Sequence, residues 1–191
     1  MDFSSHKSIP FNENPSILLT NNLPPSPVFT STNDFLREWI QEAVTTQKVF
    51  DALTEESLKQ EAGSDLYTSG SLAWHVTGAA YYFLAQVGVT FEAPDLQKAA
   101  PASASEITET YKLLSTRLSD AVSEQVSDEK LNEPISLFGM DMPFQGVLRL
   151  LIQHQAYHRG QLTVLMRQAG LQVPGVYGPS KEETEAMRAG K

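Results

Sequence analysis

Four histidines occur in the chain, and three of them have the spacing and surroundings of metal ligands. His154 and His158 are four residues apart, so on a helix they stack on one face. At about 100° per residue, Val147, Leu151, His154, His158, Leu162 and Leu165 share a stripe, with Arg149, Gln153 and Arg167 opposite. The two imidazoles therefore sit in the surface that should face a core. Burying two adjacent imidazoles without partners is costly, and a metal ion satisfies both through neutral ring nitrogens. His75 flanks another apolar stripe and supplies a third ligand. Three histidines with one open position match a catalytic rather than a closed structural site. Nitrogen ligation suits Zn, Ni, Cu or Fe(II) and argues against Ca or Mg. The fourth histidine, His6, lies in a proline-rich amino-terminal stretch.

Several metal chemistries are disfavoured. His154-Gln155-Ala156-Tyr157-His158 has Gln155 where the zincin motif needs its glutamate base. The Glu-x-x-His pairs of carboxylate-bridged di-iron bundles are absent. Three neighbours are candidates for the pocket. Gln161 lies one turn beyond His158 on the same face, placed to bind substrate or orient a ligand. Tyr157 is about 60° off the histidine stripe. Tyr82 shares a flank with His75. For both tyrosines the alternative is a packing aromatic with its hydroxyl at the surface.

The histidines need rigid elements to hold them, and periodicity supplies four helices. The first runs from about Thr32 to Leu53, with Phe35, Trp39, Ala43, Phe50 and Leu53 on its apolar side. The second runs from about Asp65 to Val87 and stops at Gly88. The third runs from about Ala104 to Gln125, with Ser103 and Glu106 at capping-box spacing. The fourth runs from about Phe144 to Ala169, between Pro143 and Gly170. Leu131 to Met142 reads as a longer link able to cross a bundle. Leu171 to Pro179 is loop, and Ser180 to Arg188 makes a short final helix. No segment has a convincing strand alternation.

The expectation is an all-α fold: a four-helix bundle over residues 31–191, with a proline-rich extended arm over residues 1–30 and a short carboxy-terminal tail. The apolar residues of the arm, among them Phe3, Phe11 and Leu18, favour docking on the domain or on a partner subunit as much as mobility.

Composition narrows the partners. Of 191 residues, 41% are hydrophobic, enough for a sizeable core, and the net charge is −9. With no basic cluster, such a surface repels phosphate backbones, so nucleic acid is not expected. No apolar run approaches the roughly 18–20 residues of a membrane span. The amino-terminal stretch lacks a signal-peptide pattern, which makes the cytoplasm the default. Cysteine is absent, which excludes thiolate ligands and cysteine nucleophiles.

The stretch His154-Gln155-Ala156-Tyr157-His158-Arg159-Gly160-Gln161-Leu162 resembles the HxxxHRGQ signature of the DinB-like (DinB/YfiT) family of metalloenzymes. Leu72-Ala73-Trp74-His75-Val76 resembles that family's second-helix histidine segment, and Val173 to Pro179 resembles the ending of some members. The resemblance covers about Thr32 to Pro179 and leaves the arm outside. It implies an up-down-down-up bundle whose long crossover joins helices two and three, over Gly88 to Ser103. It implies one divalent ion, usually Ni or Zn, on His75, His154 and His158, and often a homodimer. Relatives of this kind include S-transferases and isomerases that use low-molecular-weight thiols, and metal-dependent hydrolases. The function expected is thus a thiol-dependent transfer or a hydrolysis on a small molecule. The alternative is a non-catalytic metal-binding bundle: a structural staple, a sensor or a dimerisation module.

Overall fold

The structure, a computed structural model, describes residues 28–63 and 67–190. Among the described residues there are five α-helices, one hairpin and two single-turn 3-10 helices (Ser57–Lys59 and Lys130–Asn132): α1 Thr32–Asp51, α2 Ser69–Ala85, α3 Ala104–Gln125, β1 Pro134–Leu137, β2 Met140–Pro143, α4 Phe144–Gln168 and α5 Lys181–Ala189. Local chemistry sets the helix starts. Ser31 and Asp34 form a reciprocal capping box at α1, as Ser180 and Glu183 do at α5. At α3 the Ser103 hydroxyl accepts the Glu106 N–H. Gly88 and Gly170 follow α2 and α4 with φ of +80° and +78°, a left-handed turn that releases the chain from the helix.

The four long helices form a bundle. α1 packs on α3 and α4, and α2 packs on α4 and α3. The pairs Trp39–Ser115 and Phe50–Thr108 show that α1 and α3 are antiparallel. Glu38–Arg149 and Glu42–Arg159 show that α1 and α4 are parallel. On α2, Leu72 lies by Leu165, His75 by His158 and Phe83 by His154, so α2 is antiparallel to α4. The result is the up-down-down-up order. The connection that crosses the bundle runs from α2 to α3, over residues 86–103.

Two expectations need correction. The link over Leu131 to Met142 does not cross the bundle; it is largely the β1–β2 hairpin, paired antiparallel with Leu137 opposite Met140. Each strand has four residues, one bounded by Pro134 and the other by Pro143, and the turn is Phe138-Gly139 rather than Asn-Gly. So short a hairpin holds only because it packs on the core, through the buried Leu137 with Ile135 and Met142 beside it. The second helix also starts later than Asp65, because Thr68 caps it by accepting the Ser71 N–H.

Most of the arm, residues 1–27, lies outside the described residues. Its last residues are docked: Phe29 is buried, and the Val28 and Phe29 N–H groups both donate to Gln145 Oε1 on α4.

The apolar core has two halves. One gathers Phe35, Trp39, Phe83, Leu118, Phe144 and Leu148; the other gathers Phe50, Leu72, Ile107, Tyr111, Leu162 and Met166. Between them runs a polar layer, in which all three helix histidines sit. Among the described residues no helix is long and apolar enough to cross a membrane.

Candidate metal centre

His75 projects from the middle of α2, and His154 and His158 project from consecutive turns of α4 toward it. Their ring centroids are 4.9 Å apart for His75–His154, 4.7 Å for His75–His158 and 4.4 Å for His154–His158. One nitrogen from each ring lies within 4.8 Å of the others, a set that can hold a metal ion. Nε2 of His75 and Nε2 of His154 are 3.1 Å apart. Two ligand nitrogens of a tetrahedral site with bonds of 2.0–2.1 Å are separated by about 3.3 Å. The donor set therefore fits a small divalent ion.

The surroundings prepare the rings for that role. Nδ1 of His158 lies 2.7 Å from Gln161 Oε1. An amide oxygen only accepts, so Nδ1 carries the proton, and in the neutral ring Nε2 is the nitrogen left with a lone pair for an ion. Burial lowers the pKa of His154 to about 4, with the neighbouring charges of His158 and His75 adding to the effect. Burial, then His158, likewise lowers that of His75. Both are thus neutral, as ligands must be. Nδ1 of His154 is buried with no hydrogen-bond partner among the described residues. The Tyr67 ring stacks on His75 at 5.7 Å.

The other sequence candidates fall in three different places. Gln161 is the His158 partner just described. Tyr82 lines a cavity of about 340 Å3 that opens beside His75. Tyr157 is 64% exposed and meets His158 only through ring contact, at 4.9 Å. A second cavity, of about 280 Å3, lies between Tyr67, Leu72 and Gln161. Among the described residues no carboxylate lines either one.

Sequence reasoning missed the other buried side of α4. Leu148, Ile152, Gln155, Arg159 and Met166 form a second stripe that meets the first at Leu162, and all five are buried. Arg159 is 1% exposed and pairs with Glu42 of α1 at 2.8 Å. It also donates to Thr46 Oγ1 at 2.9 Å and to the Tyr177 hydroxyl. That hydroxyl in turn donates to Glu42 at 2.9 Å. Gln155 accepts from the Tyr111 hydroxyl at 2.8 Å, and burial pushes the Tyr111 pKa up to about 12. A signal was present on α1, where Glu42 and Thr46 interrupt the apolar stripe of Phe35, Trp39 and Phe50.

The DinB family model matches residues 28–189. The chain belongs to the DinB family. Among its relatives is the uncharacterized protein YrdA of Bacillus subtilis (strain 168), 46% identical over 156 residues, which covers 82% of this chain and 93% of YrdA. The crystal structure of a DinB-like protein from Bacillus cereus ATCC 10987 is 41% identical, with a TM-score of 0.75 over 78% of this chain and 99% of that one. A second DinB-like structure, YjoA of Bacillus subtilis, is 17% identical with a TM-score of 0.60, over 75% and 97% of the two chains, and shares the fold.

Proposed function

We propose that this DinB-family chain is a metal-dependent enzyme acting on a small molecule, with one divalent ion, Zn or Ni, held by His75, His154 and His158. The observation that carries the reading is the convergence of three imidazoles, two of them kept neutral by burial, beside an uncharged cavity. A divalent ion there would hold a thiol as its thiolate and polarise the group it attacks.

Thiol-dependent transfer is favoured over hydrolysis. Hydrolysis calls for a base to take a proton from water, and among the described residues no carboxylate lines either cavity. In the transfer, the thiol loses its proton to solvent, its sulfur forms a bond to an electrophilic carbon, and the leaving group departs with the electron pair of the broken bond. The chain orients the reactants. Gln161 fixes the ring of His158, Phe83 and Trp74 exclude water beside His75, and Tyr82, which lines the cavity and is partly exposed, has a hydroxyl that can hydrogen-bond the polar end of a substrate. A low-molecular-weight thiol as co-substrate and a homodimer belong to the same proposal.

Elemental analysis of untagged protein, beside a His154→Ala/His158→Ala variant, tests it. Near-stoichiometric Zn or Ni in the wild type, lost in the variant, is expected. His158→Ala should then abolish turnover of a thiol with an electrophile while leaving the helical spectrum intact. No metal and no uptake of added Zn or Ni would overturn the reading. Loss of fold on chelation, with no turnover by the loaded protein, would instead support a structural staple.

A further inference from the structure

The cavity beside His75 is lined by residues that break local rules of the elements carrying them. Phe138 occupies the hairpin turn at φ +52°, followed by Gly139 at +77°. A two-residue loop with both central φ values positive is a type I′ turn, and its first position favours asparagine, aspartate or glycine. A phenylalanine there is strained, and its side chain remains 65% exposed, so burial does not account for it. Its ring meets Phe83 edge-on, with centroids 5.7 Å apart, and Phe83 in turn lies 5.1 Å from His154. Gly78, which also lines the cavity, sits inside α2, where glycine disfavours the helix. A Cβ at that position would stand 3.3 Å from the Tyr82 ring and 3.9 Å from Leu96. The missing side chain lets Tyr82 lie against the helix. Two such departures on one cavity point to a ligand rather than to folding.

We propose that this cavity recognises an uncharged alkyl or aryl group of the substrate, and that Phe138 is its roof and specificity-determining residue. The inference rests on the small-molecule reading above and adds the substrate class. The walls are Trp74, Tyr82, Phe83, Leu96 and Phe138, with no charged side chain among them. A charged group placed there would lose its hydration with no counter-charge in return. The volume is about 340 Å3. Since benzene fits a cavity of about 150 Å3, the pocket has room for a group of up to about a dozen heavy atoms.

The test uses the full metal-free chain, titrated with benzyl alcohol, benzoate and the series 1-propanol to 1-pentanol, followed by Trp74 fluorescence and amide NMR. Benzyl alcohol is expected to shift the amides of Gly78, Ala79 and Gly139 and to bind more tightly than benzoate. Affinity should rise about fourfold per methylene along the alcohols. Phe138→Asn, which suits the turn, should weaken benzyl alcohol about fivefold to tenfold. Gly78→Ala, which pushes on Tyr82, should weaken it as well. Equal affinities along the series, shifts elsewhere, or no effect of either variant would overturn the pocket. Because binding is read without metal, failure to take up Zn or Ni sinks the functional reading alone, and uptake of metal with a flat alcohol series sinks the pocket alone.

Discussion

Replacing Arg159 by methionine should be among the most damaging single changes in this bundle, although the residue touches no histidine. Its side chain is 1% exposed and that of Glu42 is 11% exposed. Arg159→Met removes the ion pair and the bonds to Thr46 and Tyr177, and leaves the Glu42 carboxylate facing an apolar group. Breaking a buried pair from one side costs about 3–5 kcal/mol. Glu42 keeps a little access to water, so the lower end, about 3 kcal/mol, is expected. For a chain of this size that corresponds to a fall in Tm of about 6–12 °C. The added change Glu42→Gln removes the stranded charge and should recover about 1–2 kcal/mol, because the cost is that of an unpaired buried ion rather than of lost packing. Urea unfolding followed by far-UV circular dichroism measures all three proteins. A single variant within about 1 kcal/mol of wild type, or a double variant less stable than the single one, would refute the argument.

Gln161→Leu should leave the fold intact and lower Zn affinity about 10–100-fold, since it frees the ring of His158; competition with a chromogenic chelator reads it, and unchanged affinity would remove Gln161 from the site. The stability of the metal-free chain should rise with pH between about 4 and 6.5: His154 is neutral in the fold down to about pH 4, while the unfolded chain takes up its proton below about 6.5, so acid favours unfolding. Urea midpoints across that range should rise less steeply in His154→Leu, and identical slopes would contradict the burial argument. Phe138→Asn should be more stable than Phe138→Ala by about 1 kcal/mol, because asparagine tolerates the left-handed conformation that alanine does not; equal thermal midpoints would mean the turn is not type I′.

Periodicity was a good guide to the helices because their apolar stripes are long. The third helix has the bounds read from its pattern, Ala104 to Gln125, and the fourth differs only at its last residue. The hairpin was harder to see. Four-residue strands give one alternation each, prolines bound the pair, and Phe138-Gly139 hides the turn. The three histidines were legible because a pair of imidazoles in an apolar stripe is costly to bury unless something binds their nitrogens. Arg159 was not. Its partner Glu42 lies 117 residues earlier and Tyr177 lies 18 later, and no helical spacing links residues across such distances.

The missed network and the histidine cluster occupy one layer, and α4 carries both. His154 is followed by Gln155, and His158 by Arg159. Adjacent residues point about 100° apart on a helix, so the layer presents imidazoles to α2 and fixed polar groups to α1 and α3. Each side constrains the other. An apolar stripe alone would let α4 turn or slide slightly at little cost, because leucines repack. The Arg159–Glu42 pair and the Gln155–Tyr111 bond do not allow it, since a small rotation strands a buried charge or a buried amide. Three nitrogens from two helices must meet within tenths of an ångström to hold one ion. The buried polar face of α4 would serve that requirement by fixing the rotation of the helix, with a charge in the core directly beside His158, one of the three histidines that could hold an ion.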